Sequence, residues 1–126
     1  MDFIGADSRG LIMLNKYFKR SEFACRCGCG TSTVDAELLQ VVTDVREHFG
    51  VPVVITSGHR CAKHNANVGG AKNSMHLTGK AADIKVSGIL QSEVHKYLTG
   101  KYQGKYGIGK YNSFTHIDVR DGCARW

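Results

Sequence analysis

His76, Asp83, His116 and Asp118 are the residues of this 126-residue chain whose types and spacing could do chemistry together. Asp83 sits between Ala81-Ala82 and Ile84, in a segment that otherwise favours burial. An unpaired buried carboxylate takes up a proton rather than stay charged, so Asp83 needs a cation or strong donors. A Lys or Arg side chain would meet that need, and so would a metal ion. His76 precedes it, with Leu77-Thr78-Gly79 leading towards the strand. This spacing does not put two ligands on one helix, but it suits a loop that turns at Gly79 and sets His76 beside Asp83. His116 lies in Phe114-Thr115-His116-Ile117-Asp118-Val119-Arg120. In a strand alternate residues share a face, so His116, Asp118 and Arg120 point one way and Thr115, Ile117 and Val119 the other. Two imidazoles and one carboxylate with a fourth position open form a recurrent catalytic zinc set. Spacing alone leaves both the ion-pair and the metal reading of Asp83 standing.

The elements that must position these groups can be read from hydrophobic pattern. A helix is predicted from about Ala36 to Phe49, where Leu38, Val41, Val42, Val45 and Phe49 recur on one face. Asp35 can cap its first turn and Gly50 can stop it. Val51 to Thr56 is a short β-branched run and reads as a strand. Ser57 to Gly79 is rich in Gly and Asn and too irregular for one element. Lys80 to Val86 reads as a second strand and Gln91 to Leu98 as a helix. Two further strands are expected around Tyr106 to Tyr111 and Phe114 to Arg120. This order predicts a single small α+β domain, a largely antiparallel sheet with helices packed on it. Residues 1–20 form a lead-in with an apolar cluster at Leu11-Ile12-Met13-Leu14 and Tyr17-Phe18, and 21–126 form the domain proper.

Composition sets the outer bounds. With 42% hydrophobic and 22% charged residues, the chain can bury a core without staples and is not disordered in character. A formal net charge of +6 favours anionic partners, among them an acidic polymer such as a bacterial cell wall. The basic residues are scattered, with no Lys/Arg run and no RNA-recognition signature, so nucleic-acid binding is not expected. No stretch is apolar enough to span a membrane, and Met1 to Asp7 lacks the basic-then-apolar layout of a signal peptide. An extracytoplasmic substrate would therefore require another delivery route.

The stretch Ser57-Gly58-His59-Arg60-Cys61-x-x-x-Asn65, followed by Val68-Gly69-Gly70-Ala71-x-Asn73-Ser74-x-His76-x-x-Gly79-x-Ala81-Ala82-Asp83, resembles the D-alanyl-D-alanine carboxypeptidase-like zinc peptidases of family M15. Phe114 to Arg120 and the terminal Ala124-Arg125-Trp126 resemble that family's closing strand, so the likeness covers roughly residues 21–126. The resemblance, closest to subfamily A of that family, implies a hedgehog/D-Ala-D-Ala-peptidase-like fold and a zinc ion held by His76, Asp83 and His116. It further implies a peptidoglycan-peptide substrate bound by Arg60 and Ser74, with action at the cell wall as a periplasmic or extracellular, cellular or phage-encoded protein, and a monomer. Arg60 matches the arginine of the Ser-Gly-x-Arg block, whose planar guanidinium suits a substrate carboxylate or carbonyl oxygen. The bond cut could be that of a carboxypeptidase, or the L-alanyl-D-glutamate or crosslink bond of an endolysin. A zinc-stabilised cell-wall-binding module without catalysis is the reading from another class.

One position departs from the family pattern. Many members carry an acid three residues before the last histidine ligand, as general base, and here that position is Ser113. Asp118 is the substitute on the same strand face. It would either act as the base or accept the free ring N–H of a metal-binding histidine.

Five cysteines leave at least one unpaired or paired between chains. Cys25, Cys27 and Cys29 alternate and could bind metal, but no fourth ligand lies at finger spacing. Cys61 and Cys123 could each reach them, and the sequence leaves disulfides and free thiols equally open.

Overall fold

A computed structural model of the chain describes residues 13–126. Leu11 and Ile12 of the lead-in cluster lie outside the described residues. Among those described, three α-helices pack with a five-stranded sheet. In chain order they are α1 (Ala36–Phe49), β1 (Val53–Ser57), α2 (Ala62–Asn67), β2 (Ala81–Val86), α3 (Gln91–Lys101), β3 (Tyr106–Lys110), β4 (Thr115–Asp118) and β5 (Cys123–Arg125). Short 3-10 turns at Arg20–Phe23 and Met75–Thr78 complete the set. The sheet order is β1-β2-β4-β3-β5, antiparallel throughout except that β5 joins β3 in parallel.

α1 forms where the apolar period predicts it. Asp35 Oδ1 accepts from the Glu37 and Leu38 amides at 2.8 and 3.3 Å, so donors left open by the first turn are satisfied. Gly50 takes the left-handed conformation at φ 69° and its N–H closes on Arg46 O, ending the helix. Leu38, Val41, Val42 and Val45 are buried and join Ile55, Ile84, Val94, Leu98, Ile108 and Ile117 in one core. Phe18 and Phe23 are also part of it, edge to face at 5.8 Å, so the end of the lead-in packs with the domain. Asn15 adds a bond from its Nδ2 to Thr43 Oγ1 on α1.

Two elements depart from the sequence expectation. Within the irregular stretch 57–79 the chain makes the six-residue α2, too short to show a helical period. After Arg120 it makes the three-residue β5, Cys123 and Arg125 exposed and Ala124 half-buried between them, too short to show a strand period. β4 differs in burial as well. It lies between β2 and β3, and all four of its residues are buried, the polar face included.

Candidate metal centre

Strand register brings the candidate residues together. β2 and β4 run antiparallel with Asp83 opposite His116, and Ala81 opposite Asp118. His76 arrives from the 3-10 turn that Ser74 caps, its side-chain oxygen accepting from the His76 amide at 3.2 Å. Gly79 ends that turn at φ 72°. An added Cβ there would collide with the Thr33 carbonyl, so glycine is required for both the conformation and the close approach. The turn at Gly79 thus sets His76 beside Asp83, and all three residues are buried.

The orientation of each ring is fixed from behind. His76 Nδ1 lies 2.7 Å from the Gly58 carbonyl oxygen, which can only accept, so the proton sits on Nδ1 and Nε2 offers a lone pair. That Nε2 stands 3.4 Å from Asp83 Oδ1. His116 Nε2 lies 2.7 Å from Asp118 Oδ2, and its Nδ1 lies 3.0 Å from the same Asp83 Oδ1. Nε2–H donating to Asp118 leaves the His116 Nδ1 lone pair turned towards Asp83. The ligand atoms of His76, Asp83 and His116 all lie within 4.8 Å of one another. Donors about 2.0–2.1 Å from a tetrahedral zinc stand roughly 3.4 Å apart, so the chemistry and the spacing of these donors fit such an ion.

Electrostatics point the same way. Burial pushes the Asp83 carboxyl up, but when a proton stands on the facing His116 and His76 nitrogens in place of a metal, their hydrogen bonds and charge overrule it and hold it down to about 2. Burial pulls His116 down, yet Asp118 and Asp83 on its two sides raise it above the ordinary imidazole value. The pocket thus holds Asp83 as a carboxylate facing positive charge. Asp118 also lies well below the usual carboxylate range. Burial pushes it up, and Arg120 and His116 hold it down. Arg120 grips it with two bonds of 2.8 Å, from Nε to Oδ1 and from a terminal nitrogen to Oδ2.

Arg60 lies within the same pocket, held by partners on several sides. Its Nε donates to Ser57 Oγ at 3.1 Å, one terminal nitrogen to Asn65 Oδ1 at 3.2 Å, and the other to Asp83 Oδ2 at 3.4 Å. Asn65 is buried and its amide donates in turn to Ala71 O at 2.9 Å. Together these groups line a cavity of about 640 Å³, walled by the segment Val68 to His76 and by Tyr111, Phe114 and Trp126. Ser74 lines it as well, with its hydroxyl oxygen engaged at the His76 amide. Ser113 is exposed and stands outside the lining.

Two features escaped the sequence reading. Trp126 is set by β5 against the site, its ring centroid 5.1 Å from that of His116 and its Nε1 donating to Tyr111 Oη at 2.7 Å. Gly107 and Gly109 on β3 face the same side. A methyl group at Gly107 would occupy the place of the Asp118 carboxylate, and one at Gly109 would meet the Trp126 indole. The Gly-x-Gly pattern in a strand, unfavourable for its own stability, was the available signal. Gly107→Ala is expected to displace Asp118 and cut metal affinity about 10- to 100-fold, the scale seen when a ligand's supporting partner is lost. Titration against a competing chelator measures it, and unchanged affinity would show that the Asp118–Arg120 pair can shift without consequence.

A family model described as Peptidase M15 matches residues 16–118. A probable peptidoglycan L,D-endopeptidase MepK of Haemophilus influenzae is 28% identical over 94 residues, which cover 68% of this chain and 50% of that protein. The peptidoglycan L,D-endopeptidase MepK of Escherichia coli K12 is 33% identical over 73 residues, covering 54% of this chain and 40% of the relative. The chain therefore aligns with half or less of the length of these curated relatives. With the family match spanning strands β1 to β4 and every residue of the His–Asp–His cluster, the chain belongs to peptidase family M15.

Proposed function

We propose that the chain is a zinc-dependent peptidase that hydrolyses a peptide bond of peptidoglycan, with His76, Asp83 and His116 holding the metal. The observation that carries this reading is the convergence of two imidazole nitrogens, His76 Nε2 and His116 Nδ1, on one oxygen of a buried carboxylate. When bound there with an open fourth position, zinc supplies a Lewis acid and a water of near-neutral pKa. The chain's own residues do the rest. Gly58 and Asp118 fix the tautomers of the two rings, and Arg120 keeps Asp118 ionised. Arg60 holds Asp83 in place and, among the described residues, uses one N–H on each of its three nitrogens. A guanidinium has five, so each terminal nitrogen keeps an N–H for a substrate carbonyl or carboxylate oxygen. Tyr111, Phe114 and Trp126 form an aromatic wall on one side of the cavity, where substrate would pack.

The engagement of Asp118 by His116 and Arg120 supports a role in orienting the metal-binding ring rather than in serving as the base. The relatives named as L,D-endopeptidases favour an internal bond over carboxypeptidase action. No helix among the described residues is long and apolar enough to cross a membrane, and the +6 charge suits an anionic wall polymer outside the cytoplasm.

A second reading, a zinc-stabilised wall-binding module without catalysis, has one observation in its favour. Both carboxylates that line the cavity are engaged by partners, and Ser113 supplies none. Digestion of purified muropeptides, with and without zinc and with mass analysis of the products, separates the two. A product pair split at one peptide bond, zinc-dependent, supports the peptidase. Intact muropeptides with zinc bound would leave the module.

Arg60→Lys provides a finer check on the peptidase. Lysine keeps the charge but cannot hold Ser57, Asn65 and Asp83 at once. Turnover should fall about 100-fold, as misplacement by an ångström can do, while circular dichroism and metal content stay near normal. Wild-type kinetics would return Arg60 to a purely structural role.

A further inference from the structure

The cysteines left open by the sequence come together in the fold. Cys25, Cys27 and Cys29 lie on the loop between the first 3-10 turn and α1, and Cys61 is the N-cap of α2. Their sulfurs all lie within 4.8 Å of one another. Cys25 and Cys27 are 3.4 Å apart, Cys25 and Cys61 3.8 Å, and Cys27 and Cys61 3.7 Å. Four thiolates bound about 2.3 Å from a tetrahedral zinc stand roughly 3.8 Å apart. We propose that Cys25, Cys27, Cys29 and Cys61 form a second metal site, a closed four-thiolate site for a structural zinc ion.

The backbone is shaped for this. Gly28 and Gly30, at φ 84° and 91°, let the loop curl after Cys27 and again after Cys29. The Cys25 amide donates to Thr31 O at 2.8 Å and the Gly28 amide to Cys25 O at 3.2 Å, closing the loop on itself. Amide hydrogens already face two of the sulfurs. The Cys61 amide donates to Cys25 Sγ and the His64 amide to Cys61 Sγ, each at 3.4 Å, an arrangement that favours thiolate character. Cys123 is exposed on β5 and is not among the cluster. Binding exchanges four S–H bonds for four S–Zn bonds and releases four protons to solvent, with no oxidant or reductant required.

The site would act at a distance on the His–Asp–His cluster by fixing the segment between them. Cys61 follows Arg60 directly, and the Arg60 amide donates to His76 O at 2.9 Å. The His59 amide donates to Phe23 O at 2.8 Å, and a Cβ on Gly58 would stand 2.7 Å from Phe23 Cα. Gly58 in turn supplies the carbonyl that orients His76. A metal on the four cysteines would therefore clamp the loop 24–31 to the chain that carries both Gly58 and Arg60.

The test is metal content and cobalt spectroscopy on the full chain purified under reductant, as wild type, as His76→Ala and as the double variant Cys27→Ser/Cys29→Ser. Both serines fall at exposed positions, so the core is untouched. His76→Ala is expected to keep one zinc per chain and, after exchange, to show the near-ultraviolet sulfur-to-cobalt charge-transfer absorption of a thiolate site. The double variant should lose one zinc relative to wild type and lose that absorption. Wild-type protein without thiolate-to-cobalt absorption overturns the proposal whatever becomes of the His76 site, and needs no variant to fold. Loss of zinc in His76→Ala with the absorption intact would leave this site standing and bear on the other alone.

Discussion

Replacing His76 by alanine should remove one equivalent of bound zinc and with it hydrolysis. In the proposed site His76 Nε2 is one of three donors to the metal, and its ring is already turned for that task by the 2.7 Å contact of Nδ1 with Gly58 O. With only Asp83 and His116 left, a tetrahedral zinc would have half its positions open to solvent. Activity should fall by more than about 1,000-fold, because activated water and oxyanion stabilisation are lost together. Zinc per chain measured against wild type, alongside muropeptide cleavage, gives the result. Undiminished zinc content in this variant would sink the assignment of the site. His76 is buried in a short turn, so circular dichroism should accompany the measurement to show that the fold is kept.

Asp118→Asn has the second large effect, and its pattern distinguishes two roles. The carboxylate accepts from His116 Nε2 at 2.7 Å and from Arg120 twice at 2.8 Å, with its side chain fully buried. Asparagine keeps one acceptor oxygen but places an NH₂ donor against either the imidazole or the guanidinium. The ring then loses part of its anchor, and zinc affinity is expected to fall about 10- to 100-fold. Saturating zinc should restore most of the rate. A general base lost outright would look different, with zinc fully retained and the rate down about 100- to 10,000-fold at every zinc concentration. That second pattern would return Asp118 to the role of base and remove the main support for the binding-module reading.

The local elements were legible because their signals are local. α1 shows a 3.6-residue apolar period with a capping Asp35 at one end and Gly50 at the other, and the structure has it at Ala36–Phe49 as expected. β2 appears as Ala81–Val86 within the predicted Lys80 to Val86, and α3 runs to Lys101, three residues past the expected end at Leu98. α2 and β5 carry no local pattern, and only the resemblance of Ala124-Arg125-Trp126 to a closing strand pointed to the second, for a physical reason. Six and three residues are too few for a period to emerge, and β5 exists only through its pairing with β3.

The sequence by itself determined the chemistry available to this protein: a carboxylate in an apolar strand, a histidine across a glycine turn from it, and a second histidine alternating with Asp118 and Arg120. It also determined the α+β architecture, since the segments of β1 to β4 and the main helix carry their own patterns. Which groups meet was decided only in three dimensions. Asp83 faces His116 because β2 and β4 pair antiparallel in that register, and a slip of one residue would send every side chain to the opposite face. Cys61 rather than Cys123 joins the other cysteines because the Phe23 backbone packs on Gly58, a contact with no trace in spacing or composition. Trp126 reaches the site because β5 adds to β3 in parallel, and Gly107 and Gly109 lack side chains so that Asp118 and Trp126 can fill the space. Residue types and periods are properties of a short stretch of chain. Distances between stretches follow from packing the whole core at once, which no short stretch encodes.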